Sequence, residues 1–263
     1  MSTNPYAPPG AAVSEAQEPV VEIAQQQYIP GGQTIAAGRG WSLFLDAWRL
    51  LRKRFFKCLG VALVIVVAMI PSFGFVPYGN LISQLIFPVF VAGFGACVAR
   101  LRREGDFPFA TIFLGWRIRT NALLGLGVFN ILWLCAQVAL LVGIFGEPGL
   151  LGLLRGDMTA VAGLYATLGS RLLVLQWVLT AIGGSAMFFA PYLVLEQGLS
   201  VTGALRASFT GCLRNLPAGI VAVFAYFVWA IVATLALLLG WLALIPCLFM
   251  IGHLAYRDIF YRR

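Results

Sequence analysis

The stretch that decides the fold runs from Cys58 to Ala99, CLGVALVIVVAMIPSFGFVPYGNLISQLIFPVFVAGFGACVA, and contains no Asp, Glu, Lys or Arg. Crossing the hydrocarbon core of a bilayer takes about 20 apolar residues as a helix, so this stretch holds two crossings and a tight turn. Asn215–Tyr256 reads the same way, and the shorter charge-free runs Thr120–Gly146 and Leu172–Leu195 fit one crossing each. Six spans result, placed near Phe56–Phe75, Leu81–Ala99, Ala122–Phe145, Leu172–Leu195, Ala218–Leu238 and Trp241–Ile259. A spanning chain satisfies its backbone internally, as helices or as a closed barrel. Barrel strands are short and alternate in polarity, whereas these runs are long and apolar on all sides. The expected fold is an all-α, polytopic helical bundle.

Composition agrees. Of the 263 residues, 60% are hydrophobic and 11% charged, and the mean hydropathy is +0.90. A soluble domain is nearer half apolar and a quarter charged. The formal net charge of +8 would suggest nucleic acid in a soluble protein, but its placement says otherwise. Arg39, Arg49, Arg52, Lys53, Arg54 and Lys57 precede the first span, and Arg100, Arg102, Arg103, Arg117 and Arg119 lie between the second and third. Arg206 and Arg214 lie between the fourth and fifth, and Arg257, Arg262 and Arg263 end the chain. Only Arg155 and Arg171 fall on the other side. Basic residues accumulate in cytoplasmic loops, so both termini are expected in the cytoplasm. Spread along a membrane plane, these charges do not form a nucleic-acid footprint.

Residues 1–38 hold Pro5, Pro8, Pro9 and Pro30, the acids Glu15, Glu18 and Glu22, and no Lys or Arg, a composition that reads as a disordered tail. It is either inert or a docking arm for a partner. No secretory signal is visible. Residues 39–263 form the transmembrane domain. There a basic amphipathic segment followed by two spans repeats three times, which gives three hairpins each preceded by an interfacial helix. The first segment is Trp41–Lys57. The second is Pro108–Thr120, with Asp106 as a plausible cap, and the third starts at the capping residue Ser200. Helices of this kind lie in the headgroup layer with Arg and Lys toward phosphates. Arg49, Arg52, Lys53, Arg54, Arg117, Arg119, Arg206 and Arg214 are therefore the candidate headgroup contacts, with anionic lipid as partner. The plainer alternative is that the segments only connect spans. Pro88, Pro191 and Pro246 recur in the even-numbered spans. The loop Glu147–Arg171 is rich in leucine and holds a possible short helix, Met158–Leu168. It packs on the membrane surface, on the bundle, or as a re-entrant segment.

The segments Ala37-Gly38-Arg39-Gly40-Trp41 through Ala47-Trp48-Arg49-Leu50, Ala207-Ser208-Phe209 through Cys212-Leu213-Arg214-Asn215, and Tyr256-Arg257-Asp258-Ile259-Phe260 carry a resemblance. They are similar to a group of uncharacterised proteobacterial inner-membrane proteins, which in turn resembles the membrane domains attached to some glycerophosphodiester phosphodiesterases. The resemblance covers residues 37 to 260 in order and spacing. It implies a bacterial inner-membrane location and a compact six-helix bundle, and it implies no activity. The acidic, histidine-bearing catalytic barrel of those enzymes has no counterpart in this sequence.

Chemistry-bearing residues are few. Asn130, Gln137, Gln176 and His253 could line a polar path through the bundle, or serve as hydrogen-bonded joints between helices. His253, the single histidine, is expected to be a helix-end residue bonded to a backbone carbonyl or lipid. A proton-coupling group is the other reading. Asp46, Glu104, Asp106, Glu196 and Asp258 each have a basic neighbour or a cap position to explain them. Cys58, Cys97, Cys135, Cys212 and Cys247 form no C-x-x-C pair, so neither a disulfide framework nor a metal site is expected. With no paired-carboxylate site, nucleophile elbow or phosphate loop, no catalytic residue and no cofactor are expected, and an enzyme is not the expected class. A non-enzymatic organiser of lipid or partner proteins at the cytoplasmic face fits this inventory. A transporter or channel for a small or amphiphilic solute is the alternative.

Overall fold

A computed structural model describes residues 28–70, 78–145, 157–235 and 239–262. In chain order its helices are α1 (Arg39–Lys53), α2 (Phe55–Met69), α3 (Tyr78–Glu104), α4 (Thr120–Phe145), α5 (Met158–Phe188), α6 (Ala190–Gln197), α7 (Val201–Arg214), α8 (Leu216–Leu235) and α9 (Leu239–Phe260). Among the described residues, five segments are long and apolar enough to cross a membrane: Gly79–Glu104, Thr120–Leu141, Leu173–Gln197, Leu216–Leu235 and Gly240–Phe260. By helix length and hydropathy the chain is a multi-pass, all-α membrane protein. The first expected span differs from this set. Its described part, α2, is 15 residues, or about 22 Å at 1.5 Å per residue, short of the ~30 Å core. The end of Phe56–Phe75 lies outside the described residues, as do residues 147–156 of the long loop.

The pairs α2–α3, α4–α5 and α8–α9 each pack together. Helix α3 lies close against α4, because Gly127 sits on the backbone of Leu85, where a Cβ would collide. Burial concentrates in the carboxyl-terminal halves of α3 and α9 and in α6, through Phe94, Cys97, Leu101, Leu193, Val194, Met250, Leu254 and Tyr256. Helices α4 and α8 expose Leu132, Ile220, Phe224, Phe227 and Ile231. Exposed apolar side chains on a spanning helix face lipid tails.

The three amphipathic segments have three different outcomes. Helix α1 is regular, but it packs between α8 and α9, burying Leu43, Phe44, Ala47 and Leu51. Gly40 lets it seat directly on the backbone of Ala218 and Ala222. It ends at Arg54, where α2 begins, so Trp41–Lys57 is not one helix. The second segment is not a continuous helix either. A 3-10 turn, Phe109–Phe113, is followed by one α-turn, Leu114–Arg117, and Arg119 takes a positive φ of 62°. Asp106 is not its cap. Pro108 holds that position, and the Asp106 carboxylate accepts from Lys57 Nζ at 2.6 Å. The segment instead packs on α3, with Ile112 buried against the backbone of Gly93. The third is a continuous helix capped where its sequence suggests, and it packs on α5. Helix α7 starts at Ser200, whose hydroxyl accepts from Gly203 N at 3.2 Å.

The described chain is already packed at Tyr28, ten residues before the boundary that composition suggests. Ile29 N donates to Phe260 O at 2.9 Å and Gln33 N to Ile259 O at 2.8 Å. The Gln33 side chain donates to the carbonyls of Asp258 and Tyr261, both at 2.9 Å. Asn215, between α7 and α8, accepts from Ile35 N and donates to Gln33 O. Residues 28–36 thus form a strap across the end of α9. Apolar content cannot reveal such a segment, because backbone and amide hydrogen bonds hold it.

Candidate functional site

Site geometry starts at a broken helix. Pro191 has no N–H to give and its ring crowds the carbonyl four residues back, so α5 stops at Phe188 and α6 restarts at Ala190. The Ser208 hydroxyl on α7 bridges the gap, accepting from Phe189 N at 2.9 Å and donating to Ser185 O at 2.8 Å. Those two groups would otherwise bond to each other along a continuous helix. Gly198, at φ 67°, then ends α6 in the left-handed conformation that glycine adopts without penalty. The restart sets Glu196 and Gln197 against the end of α9.

There His253 Nε2 lies 2.9 Å from Glu196 Oε1, across 57 residues of sequence. Their side chains are 1% and 2% exposed. This buried hydrogen bond joins α9 to α6. The Tyr261 hydroxyl donates to Glu196 Oε2 at 3.2 Å and accepts from Gln197 Nε2 at 2.6 Å. Its one hydrogen being so used, Tyr256 is the donor in their 3.1 Å contact. Tyr192 packs edge-on to the imidazole, with ring centroids 5.6 Å apart. His253 Nδ1 is buried and has no partner among the described residues. This corrects two expectations. His253 bonds to a carboxylate rather than to a carbonyl or lipid, and Glu196 is explained by His253 rather than by a basic neighbour.

Tyr261 also lines a cleft of about 420 Å³, together with Arg39, Asp46, Arg102, Arg257, Asp258 and Arg262. Arg39 is held in place, its Nε 2.5 Å from Asp258 Oδ2 and its NH1 2.6 Å from Asp46 Oδ2. Burial alone would lower its pKa, but hydrogen bonds to Asp258 and Asp46 outweigh that and raise it, so the guanidinium stays charged. Arg257 stacks on the Tyr261 ring, 4.1 Å from its centroid. Burial, reinforced by the Glu196 charge, pushes the Tyr261 phenol up to about 12, so it remains a hydroxyl at neutral pH. Four guanidinium groups and two carboxylates leave the cleft net positive. Such a lining can hold a phosphate or carboxylate by charge-assisted, forked hydrogen bonds.

The candidate headgroup residues do not gather in this cleft. Arg52 lies over the Trp48 ring and Arg49 pairs with Asp46. Arg54 reaches Gly105 O, and Arg214 donates to the carbonyls of Gly31 and Gly32 in the strap. Arg119 lies against Gly198. Lys53, Arg117 and Arg206 are exposed. Of the polar-path candidates, Gln176 Nε2 donates to Gln137 Oε1 at 3.1 Å, a joint between α5 and α4. Asn130 is half-buried on α4. His253, on α9, pairs with α6, so the candidates form separate joints. Among the described residues no group of three or more His, Cys, Asp or Glu could hold a metal ion.

Sequence reasoning missed the cleft because its residues come from three distant places, Arg39 to Asp46, Arg102, and Arg257 to Arg262. One signal was available: Arg39, Arg257 and Asp258 all fall within the segments that carried the family resemblance. No family model, no curated protein and no solved structure matches this chain.

Proposed function

We propose that this chain is a non-enzymatic protein of the bacterial inner membrane, which organises anionic lipid or a partner protein at the cytoplasmic face. The observation that carries the reading is the convergence of Arg39, Arg102, Arg257 and Arg262 on one cleft where α3 and α9 end. The concentration of basic residues at that end and near both termini supports a cytoplasmic location for them. Anionic headgroups there supply phosphates for the guanidinium groups, each worth on the order of 1 kcal/mol near the surface. The resemblance to uncharacterised proteobacterial membrane proteins supports the location.

The test is native mass spectrometry of lipid retained after detergent extraction. Arg102→Gln with Arg262→Gln should reduce retained anionic lipid, while Arg117→Gln with Arg206→Gln, away from the cleft, should change it little. Equal retention in the wild type and the cleft variant would sink the proposal. The buried Glu196–His253 pair favours a second reading, transport of a small or amphiphilic solute, since ionisable groups inside membrane bundles mark pathways. Solute flux in proteoliposomes that is abolished by Glu196→Gln would decide for it.

A further inference from the structure

We infer that a groove on the other face of α1 holds one acyl chain of an anionic phospholipid, with Arg52 on its phosphate. The inference rests on the lipid reading for the class of partner and adds a second site, apart from the arginine cleft. The groove has a volume of about 290 Å³ and lies between α1, α8 and α9. Phe44 and Trp48 line it from α1, and Trp229 from α8. Its third side is made of the small residues Gly240, Ala243 and Cys247, spaced three and four apart on one face of α9. Gly240 seats directly on Ala233 of α8, which also lines the groove, so the two helices meet there through small groups alone. The volume is at the low end of small-molecule sites, about 300–1,000 Å³, and suits one chain rather than a whole lipid.

Surroundings and charge identify the occupant. Two of the lining residues, Val232 and Trp48, are 50% and 43% exposed, and exposed apolar groups on a spanning helix meet lipid tails. An apolar lining gives water no partners, whereas a tail fills it. Phe44, Trp48 and Arg52 follow at intervals of four, so they stand in line along one side of α1. The Arg52 guanidinium lies over the same Trp48 ring that lines the groove, 5.9 Å from its centroid. Stacked on the ring, a guanidinium keeps its planar fork of N–H donors for a phosphate. An apolar slot that ends in a cation is complementary to an amphiphile with an anionic head. Arg49 is already paired with Asp46, so the headgroup falls to Arg52.

The experiment adds phosphatidylglycerol, with a diazirine near the end of one acyl chain, to the full chain in phosphatidylcholine vesicles. Illumination should label the peptides carrying Phe44 to Trp48 and Gly240 to Cys247 well above the exposed Phe224 to Ile231 of α8. Unlabelled phosphatidylglycerol should remove the groove label, and extra phosphatidylcholine should not. Ala243→Phe, which fills the groove, should abolish it. Arg52→Gln, at an exposed position, should lower phosphatidylglycerol affinity about fivefold, the worth of one cation near anionic lipid. Groove labelling no stronger than that of α8, or untouched by Ala243→Phe, would overturn the site. Equal competition by phosphatidylcholine, or full affinity in Arg52→Gln, would overturn the anionic assignment. A label that falls as protein-to-lipid ratio rises would give the groove to a second copy of the chain and sink the proposal. The Arg102→Gln, Arg262→Gln variant should keep the groove label. If it keeps both the label and its retained lipid, the cleft reading fails and the groove stands; if it loses lipid while the wild-type groove stays unlabelled, the groove fails alone.

Discussion

Helices α8 and α9 form one hairpin, and their spanning windows have mean hydropathies of 2.3 and 1.4. The more apolar one is the less buried: 17% of the α8 window lies inside the structure against 61% for α9. In water the order would be reversed. In a bilayer, lipid tails are as apolar as leucine, so hydrophobicity alone does not drive a helix inward. Close packing and polar pairing do, and α9 supplies both with Met250, His253, Tyr256 and Asp258. Helix α8 instead turns Ile220, Phe224, Phe227 and Ile231 outward.

The largest expected effect breaks the polar side of that contrast. Glu196→Ala leaves His253 buried with neither ring nitrogen partnered, a cost of about 2–3 kcal/mol for an unsatisfied group of this kind. Thermal unfolding in mild detergent should drop accordingly, and Glu196→Gln, which keeps an acceptor, should lose much less. Equal losses would show that the charge rather than the hydrogen bond matters.

Next comes packing. Leu254→Ala on α9 opens a cavity at a 4% exposed side chain and should cost about 2 kcal/mol. Ile231→Ala on α8, 61% exposed, should stay within about 0.5 kcal/mol. Similar shifts at both positions would remove the distinction between the two helices.

The smallest effect concerns pH just beyond α9. Tyr261 has its pKa raised to about 12 from the ordinary 10, by burial first and by Glu196 second. The folded state therefore favours the protonated phenol. The associated stability is fully present below pH 10 and is lost as the pH rises through about 12. The difference in phenolate absorbance between the wild type and Tyr261→Phe should titrate near 12. A midpoint at the ordinary value of 10 would place Tyr261 in contact with solvent.

The sequence by itself determined that this is an all-helical, multi-pass membrane chain, and where most of its spans lie. Partition into a bilayer is decided locally, by the apolar content of about 20 consecutive residues, so runs such as Thr120–Gly146 declare themselves without any partner. Local signals also located the α7 cap at Ser200 and the short helix from Met158, which Gly169 (φ 56°) separates from the span that follows. Only the tertiary structure decided which polar groups meet. Glu196 and His253 pair across 57 residues, Gln33 and Asn215 across 182, and Arg39 and Asp258 across 219. No periodicity encodes such pairings, because a hydrogen bond depends on distance and angle between groups that the whole fold brings together. The same reason separates the two sets of arginines. Amphipathic spacing identified Arg117 and Arg206, which stay on the surface. Arg102 and Arg257 come from the ends of α3 and α9, and those two helices had to pack before one cleft could hold both.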